Sequence, residues 1–442
     1  MSNDTQPSPE SPTEVVDRDY PMAPVPLSER KSFWSLLVVL LGFTVFTPTM
    51  LAGAQLATAF TFGPLLGVIL VGSVLLGLYV ATMGYIGSKT RLTTVVMARY
   101  SFGSGGAKLA SILLGGTQIG WFGVVVGTIG NLTAQAFGWG DSVVAKSLIM
   151  VAVATLMCLT ALRGFRGMFY ASAVATPLAL ILAFWVAWTS VGKVGGTAAL
   201  FELVPQEVGT MSVAVAITSV IGTFISAGTQ VPNWTRFASS ASSAIWACVA
   251  AFLIGNGLMI LFGAIGATAH GIGDYVEILY ALGLMVAGVL LLFGNLWTTN
   301  VDTAYAFGVA GAELFNKPTK APFIIGGTII ATLLALFGIE GALVPYLGLL
   351  GTFIPPLGAV IIADYFRRWR HGMPELSTLP ALDVPNLAAY LVASAAAYTS
   401  GLLELGIPPI VGVAIAMGIV LLWPRPATQK QQPAPSAGDR SA

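Results

Sequence analysis

Two long stretches of the chain contain no Asp, Glu, Lys or Arg. One extends from residue 32 to residue 88, and the other from residue 237 to residue 273. A helix needs about 20 apolar residues, at 1.5 Å each, to cross the roughly 30 Å of hydrocarbon in a bilayer. Both stretches exceed that length, so the sequence predicts an all-α membrane protein.

The composition of the 442-residue chain agrees with a membrane location. Hydrophobic residues make up 56% and charged residues only 9%, whereas soluble proteins carry about 25% charged residues. A net charge of +1 provides no basic surface, so a nucleic-acid partner is not expected. Cys158 and Cys248 lie in apolar runs without CxxC spacing, which predicts buried side chains rather than a disulfide or a metal site.

Charges, Gly/Pro clusters and length divide the apolar sequence into twelve predicted membrane-spanning helices, numbered 1 to 12. Their ranges are 33–59, 65–87, 106–133, 144–163, 168–191, 211–231, 241–268, 278–306, 322–338, 343–364, 386–403 and 406–424. The segments 1–30 and 425–442 are polar and rich in proline, and we predict that they are disordered tails.

The distribution of positive charge supports this count. With a cytoplasmic N-terminus and twelve crossings, every lysine and arginine except Lys146 and Lys193 lies on the cytoplasmic side. Membrane proteins carry such an excess of positive residues in their cytoplasmic segments. We therefore expect a multi-pass protein of the cell membrane with both termini in the cytoplasm.

The residues within the spans favour transport over catalysis. His270 and His371 fall in predicted loops on opposite sides of the membrane, and no acidic pair lies within a span. An enzyme needs a base, a nucleophile or a metal cluster, and a channel is expected to show a repeated filter or a charged ring. The sequence shows none of these, so it predicts a transporter and no enzyme.

Helices 1 and 6 each contain an interruption of Gly and hydroxyl residues, GFTVFTPT at 42–49 and GTFISAGT at 222–229. The two interruptions lie five helices apart. Paired interruptions in corresponding halves are typical of inverted-repeat transporters, in which discontinuous helices form a site at the middle of the membrane. The alternative is ordinary helix packing through small residues.

Helix 8 carries a polar stripe. Asn295, Thr298, Thr299 and Asp302 follow the spacing i, i+3, i+4, i+7 and share one face, whereas Asn300 points to a different facet. Oxygen ligands of this kind suit a small cation, and interhelical hydrogen bonding is the alternative. Asp302 is the one acid that the prediction places well inside a span, unless it lies near the cytoplasmic end and is solvated.

Helix 3 places an amide and a broad aromatic ring one turn apart, at Gln118 and Trp121. A planar heteroaromatic ligand could stack on the ring and hydrogen-bond to the amide. Phe224, at the interruption of helix 6, is a candidate for the opposite wall. The alternative for Trp121 is a purely structural role in packing.

Five strings of residues resemble those of the nucleobase–cation symporter-1 family, in particular its bacterial cytosine permeases. They are GYIGSKTRLTT (84–94), GGTQIGWFG (115–123), FISAGT (224–229), NLWTTN (295–300) and IIADY (361–365). The resemblance implies the leucine-transporter fold. In that fold two inverted five-helix repeats, here 31–191 and 211–364, contain discontinuous helices 1 and 6 and are followed by two additional helices, here in 386–424.

The resemblance also implies a substrate site and a cation site. A base would stack between Trp121 and Phe224. The residues implied in hydrogen bonds to its edge are Gln118, Asn295, Asn300 and the backbone near Gly222 and Thr223. The residues implied in binding sodium are Gly42, Val45 and Asn295 through their carbonyls and Thr298 and Thr299 through their hydroxyls. No other cofactor is implied.

Four positions depart from the family pattern. Thr223 replaces a serine and adds a methyl group beside the base, while Val45 replaces a phenylalanine and Pro48 a small residue. Asp302 stands where an amide is expected, and its carboxylate could carry a proton in place of sodium.

The expected function is import of cytosine with a cation by alternating access in the lipid bilayer. The alternatives are another flat heterocycle (a purine, hydroxymethylpyrimidine, hydantoin or allantoin), proton-coupled uptake, and a nutrient sensor of this fold that does not transport. The sequence leaves the oligomeric state open.

Overall fold

The computed structural model describes residues 23–162, 166–205, 207–273, 275–315, 317 and 319–424. Regular structure within these ranges is helical, apart from an isolated β-bridge between Lys31 and Ala238. Six helices of this described part are long and apolar enough to cross a membrane, and two bent helix pairs meet the same criteria as single spans. The prediction of an all-α membrane protein is therefore confirmed.

Each of the twelve predicted spans overlaps a helix or a group of consecutive helices. In order they are Phe33–Thr44 with Thr47–Ala59 (helix 1), Phe62–Thr90 (2), Lys108–Ala136 (3), Val143–Leu162 (4), Arg166–Lys193 (5), Val213–Gly222 with Ile225–Thr229 and Pro232–Thr235 (6), Ala241–Cys248 with the π-helical Val249–Gly255 and Asn256–His270 (7), Met285–Leu314 (8), Ala321–Leu336 (9), Leu343–Asp364 (10), Val384–Leu402 (11) and Pro408–Leu422 (12).

Helices 1 and 6 are broken near their middles, as the paired interruptions predict. The halves of helix 1 meet at 51° around Val45 and Phe46, and those of helix 6 at 54° around Thr223 and Phe224. Pro48 lies in the first turn of the second half of helix 1, where its missing N–H is tolerated. A break frees backbone polar groups, which must be satisfied by neighbouring side chains or face a cavity.

The structure corrects the bounds of helix 8. The sequence predicts a helix over 278–306, but helix 8 runs from Met285 to Leu314. A separate short helix, Tyr275–Ala281, precedes it, and Gly283 between the two has a φ of 70°, a left-handed conformation that ends helices. The prediction also omits the short helices Thr94–Gly106 and Thr197–Glu202, because neither is long enough to cross a membrane.

A buried network anchors the connection between helices 10 and 11. Asp364 is fully buried and accepts hydrogen bonds from Arg368 and, at 2.9 Å, from the indole of Trp369. Arg368 also forms an ion pair of 3.0 Å with Asp383. The same Asp383 caps helix 11 by accepting the backbone N–H of Asn386 at 3.1 Å. These bonds fix one end of helix 10 relative to helix 11.

The predicted disordered tail 1–30 is too long at its C-terminal end. Val25 is buried; its N–H donates to the carbonyl of Arg91 at 3.2 Å, and the Arg91 guanidinium donates to the Val25 carbonyl at 3.3 Å. The N–H of Lys31 donates to the carbonyl of Phe237 at 2.6 Å. Burial and hydrogen bonding here offset the entropy lost on ordering the chain. The rest of that tail and the segment 425–442 lie outside the described residues.

Candidate functional site

A cavity lies where the breaks of helices 1 and 6 face helices 3 and 8. The side chains that line it are Phe43, Phe46, Gln118, Trp121, Thr223, Phe224, Ser226, Ala227, Thr299 and Thr303. Four predicted substrate residues are among them, namely Gln118, Trp121, Thr223 and Phe224. Thr299, a predicted cation ligand, also lines this cavity. Four separate helices therefore contribute to a single site.

Aromatic rings form two walls of the cavity. Trp121 of helix 3 and Phe224 of helix 6 both contact Phe46, with ring centroids 5.5 Å and 6.0 Å apart and the planes inclined at 70° and 71°. On its other side Trp121 meets the ring of Tyr346 at 5.7 Å. The Tyr346 hydroxyl donates to the carbonyl of Thr117 at 2.6 Å, one turn before Trp121. These edge-to-face contacts are favourable and fix the orientation of the indole.

Polar atoms face the space between these walls. The Ser226 hydroxyl is buried and has no hydrogen-bond partner among the described residues, and Gln118 adds a buried amide. The hydroxyls of Thr299 and Thr303 donate to the carbonyls of Asn295 and Thr299, both at 3.0 Å. Because each threonine hydroxyl has given its hydrogen to the backbone, it can offer only lone pairs to a ligand. Lone pairs suit a cation or an N–H donor.

Asn295 lies at the break of helix 1, and it is not among the residues that line the cavity. Its amide nitrogen donates to the carbonyl of Val45 at 2.8 Å. Its side-chain oxygen accepts from the hydroxyl of Thr47 at 3.2 Å and from the Thr47 N–H at 3.4 Å. Asn295 therefore satisfies backbone groups that the break has freed. Its contact with a base stays a prediction.

The structure brings together three of the predicted cation ligands, from helices 1 and 8. Val45 is hydrogen-bonded to Asn295, whose carbonyl accepts the hydroxyl of Thr299. Gly42 lies in the last turn of the first half of helix 1, close to this group along the chain. The side chain of Thr298 lies outside the described residues.

Asn300 faces helices 3 and 4 instead of the lined cavity. Its amide nitrogen is 3.4 Å from the carbonyl of Phe122 and 3.2 Å from the sulfur of Met157. Its amide oxygen is buried and has no partner among the described residues. The oxygen is thus available as an acceptor, although Asn300 is not among the residues that line the cavity.

Gly222 and Asp302 also do not line the cavity. Gly222 allows a close approach of helices 6 and 10, since a Cβ built there would lie 2.1 Å from the carbonyl oxygen of Leu347. Asp302 is half-buried on helix 8, one turn beyond the Thr298 backbone.

Several residues of the site were not predicted from the sequence. Ser226 lies in the FISAGT string immediately after Phe224, and Thr303 extends the polar stripe by one turn from Thr299, so both had a signal in the sequence. Phe46 lies within the interruption of helix 1. Asn256 of helix 7 was also missed, although it donates to the hydroxyl of Thr223 at 3.0 Å. The feature of the sequence that could have identified Asn256 is an isolated amide within an apolar span.

Comparison with known proteins identifies the family. The family model described as "Permease for cytosine/purines, uracil, thiamine, allantoin" matches residues 24–380. The chain belongs to this permease family. It is therefore a membrane transporter and not an enzyme. The cytosine permease of Escherichia coli (strain K12) is 38% identical over 358 residues, which cover 80% of this chain and 83% of that protein.

Solved structures share the fold. An inward-facing conformation of Mhp1 matches with a TM-score of 0.79 and 17% identity, covering 90% of this chain and 91% of that one. Mhp1 is described as a nucleobase-cation-symport-1 family transporter in a second structure, which is closed with bromovinylhydantoin bound. That structure matches with a TM-score of 0.74 and 16% identity, covering 91% and 94%. The predicted fold class is confirmed by this similarity.

Proposed function

We propose that the chain is a secondary active transporter that imports cytosine together with a sodium ion. The observation that carries this proposal is the cavity at the two helix breaks, where Trp121 and Phe224 provide aromatic walls and polar groups lie between them. Apolar walls with a few convergent polar groups are the usual composition of a small-molecule site. The family membership and the cytosine permease of E. coli support cytosine as the substrate.

A flat base fits the chemistry of these walls. Its faces would stack on Trp121 and Phe224, and its edge would meet the buried groups of Gln118 and Ser226. The Ser226 hydroxyl has no partner among the described residues, so a ligand that hydrogen-bonds to it would remove the penalty of an unsatisfied buried group. A base of different hydrogen-bonding pattern would leave that penalty in place, which gives the site a means of selection.

The cation would bind beside the base, between helices 1 and 8. We propose as its ligands the carbonyls of Gly42, Val45 and Asn295 with the hydroxyls of Thr298 and Thr299. The lone pairs of Thr299 are free to bind a cation, since its hydrogen already points to the Asn295 carbonyl. Thr299 also lines the cavity, so one residue would contact both binding sites.

Shared residues would couple the two ligands. Asn295 joins helix 8 to both sides of the break in helix 1, through Val45 and Thr47. A cation that holds this break in one geometry would favour the shape of the cavity that the base requires. Such coupling is reciprocal, and its typical size is about 1–3 kcal/mol. Alternating access would then carry both ligands across.

The proposed orientation places the basic end of the bundle, with Arg91, Arg236 and Arg368, in the cytoplasm. Lysines and arginines are concentrated in that compartment in most membrane proteins. Both termini would then lie in the cytoplasm and the protein in the cell membrane. The repeats 31–191 and 211–364 would be the two halves that rearrange during transport.

Uptake of labelled cytosine into proteoliposomes tests the proposal. An inward sodium gradient should drive accumulation above the external concentration, and a matched potassium gradient should not. Accumulation driven by a proton gradient alone would contradict sodium coupling and implicate Asp302. Binding of cytosine without any accumulation would indicate a sensor, and uptake of a purine but not cytosine would identify a different substrate.

A further inference from the structure

Helix 7 is irregular at the level of the cavity. Residues Val249–Gly255 form a π-helical segment, and regular α-helix resumes at Asn256. Short π-helical segments occur frequently at functional sites. A segment of this kind displaces the side chains that follow it relative to a regular helix, so the position of Asn256 depends on it.

The last residue of this segment and the residue after it contact the two broken helices. A Cβ built at Gly255 would lie 3.0 Å from the hydroxyl oxygen of Thr44, the last residue in the first half of helix 1. The next residue, Asn256, donates from its amide nitrogen to the hydroxyl of Thr223 at 3.0 Å. Thr223 ends the first half of helix 6. Two adjacent residues of helix 7 therefore contact the ends of both first halves.

The hydroxyl of Thr223 makes two hydrogen bonds within the protein. It donates to the carbonyl of Val220 at 2.7 Å and accepts from Asn256. Because its single hydrogen points to Val220, only the NH₂ group of the Asn256 amide can face its oxygen. Thr223 lines the cavity and has no hydrogen left to give to a ligand. Only its methyl group and its second lone pair could meet a ligand.

Asn256 has a fully buried side chain in an apolar span. Its amide oxygen has no hydrogen-bond partner among the described residues. Leaving a buried acceptor unsatisfied is unfavourable, and an apolar side chain of similar size would avoid it. An amide that lies here in spite of this penalty therefore suggests a role other than stability.

We propose that Asn256 is a positioning residue that sets the selectivity of the cavity through Thr223. By holding the Thr223 hydroxyl on the protein, it makes this part of the wall apolar and presents a methyl group to the substrate. The inference rests on the proposed function, since it assumes a base in this cavity. The Thr223 hydroxyl then serves Asn256 and does not contact the base.

A double-mutant cycle distinguishes this from direct contact. Thr223→Val keeps the shape of the wall but leaves the Asn256 amide nitrogen without its acceptor. Asn256→Leu removes the donor to the Thr223 hydroxyl, which keeps its own bond to Val220. Each single variant should bind cytosine at least about fivefold more weakly. The double variant lacks both polar partners. Replacing both partners of a hydrogen bond by apolar groups of the same shape changes the free energy little. The Kd of the double variant should therefore return to within about threefold of the wild-type value.

The decisive comparison is between the double variant and Thr223→Val alone. A double variant that binds cytosine as weakly as Thr223→Val, or more weakly, would overturn the proposal, because the base would then use the hydroxyl directly. Single variants with a wild-type Kd would overturn it as well. The melting temperature without ligand, measured in parallel, reports any general loss of stability separately from the Kd.

A second variant tests the methyl group. Thr223→Ser keeps the hydroxyl and the bond to Asn256 but removes the methyl. At least one of 5-methylcytosine and 6-methylcytosine should then gain roughly tenfold in affinity relative to cytosine. This is the lower end of the discrimination that one methyl group gives in an apolar pocket. No gain for either would contradict an apolar wall at Thr223.

The role of Asn256 can be tested whichever base is the substrate. If the wild type binds hypoxanthine and not cytosine, the proposed substrate is wrong. Recovery of binding in the double variant, measured with hypoxanthine as the probe, then decides the role of Asn256.

Discussion

Removing the Trp121 ring tests the substrate site most sharply. We expect Trp121→Ala to weaken cytosine binding, because the base would lose one of its two aromatic walls. Stacking of a base on an aromatic side chain is worth about 1–3 kcal/mol. At about 1.4 kcal/mol per tenfold change, the Kd should rise roughly 5- to 150-fold. Trp121→Phe retains an aromatic face and should show a smaller increase.

The effect of Trp121→Ala on stability must be separated from its effect on binding. Trp121 is only 6% exposed and packs against Phe46 and Tyr346, so its truncation will lower stability as well. Trp188→Ala is a matched control, since that tryptophan is 70% exposed on the outside of helix 5.

The assay is isothermal titration or scintillation proximity with purified protein in detergent, on samples that elute as a single folded peak. A Trp121→Ala protein that is folded and binds cytosine within twofold of the wild type would refute a stacking role. Trp121 would then be a packing residue.

Three further predictions concern the cation site, helix packing and Asp302. Thr299→Ala should abolish the sodium dependence of cytosine binding. The control Thr303→Ala, which loses a hydrogen bond of the same kind one turn away, should retain that dependence. Titration of sodium at a fixed cytosine concentration measures the dependence in each variant. Gly222→Ala should lower the melting temperature markedly, because its Cβ would collide with the backbone of helix 10, while Gly348→Ala, with open space around it, should not. Asp302→Asn should leave sodium-driven uptake within about twofold of the wild type, as measured in proteoliposomes, if sodium is the coupling ion.

Much of the fold follows from the sequence, because the bilayer restricts what an apolar chain can do. Spanning segments must be helical to satisfy their backbone, so length and charge locate them. The breaks were predictable for a related reason, since Gly and hydroxyl residues at 42–49 and 222–229 interrupt otherwise apolar helices. The start of helix 8 was not predictable, because it depends on the left-handed conformation of Gly283 inside a continuous apolar run.

The site was only partly predictable from sequence. Gln118, Trp121 and Phe224 line the cavity, and their contact with a base stays a prediction. The partners of Asn295 could not be read from spacing along helix 8, because they lie on helix 1, about 250 residues away in sequence. Spacing identifies which residues share a face, but packing of distant helices decides what that face meets.

Thermal stabilisation of the purified protein by cytosine tests both the substrate and the coupling ion. It is measured in sodium and in potassium buffers of equal ionic strength, with uracil and hypoxanthine as comparison ligands. We expect cytosine to raise the melting temperature in sodium, to raise it much less in potassium, and to raise it more than either comparison base does. Equal stabilisation by cytosine in both salts would contradict sodium coupling at helices 1 and 8. No stabilisation by cytosine in either salt would contradict the proposed substrate.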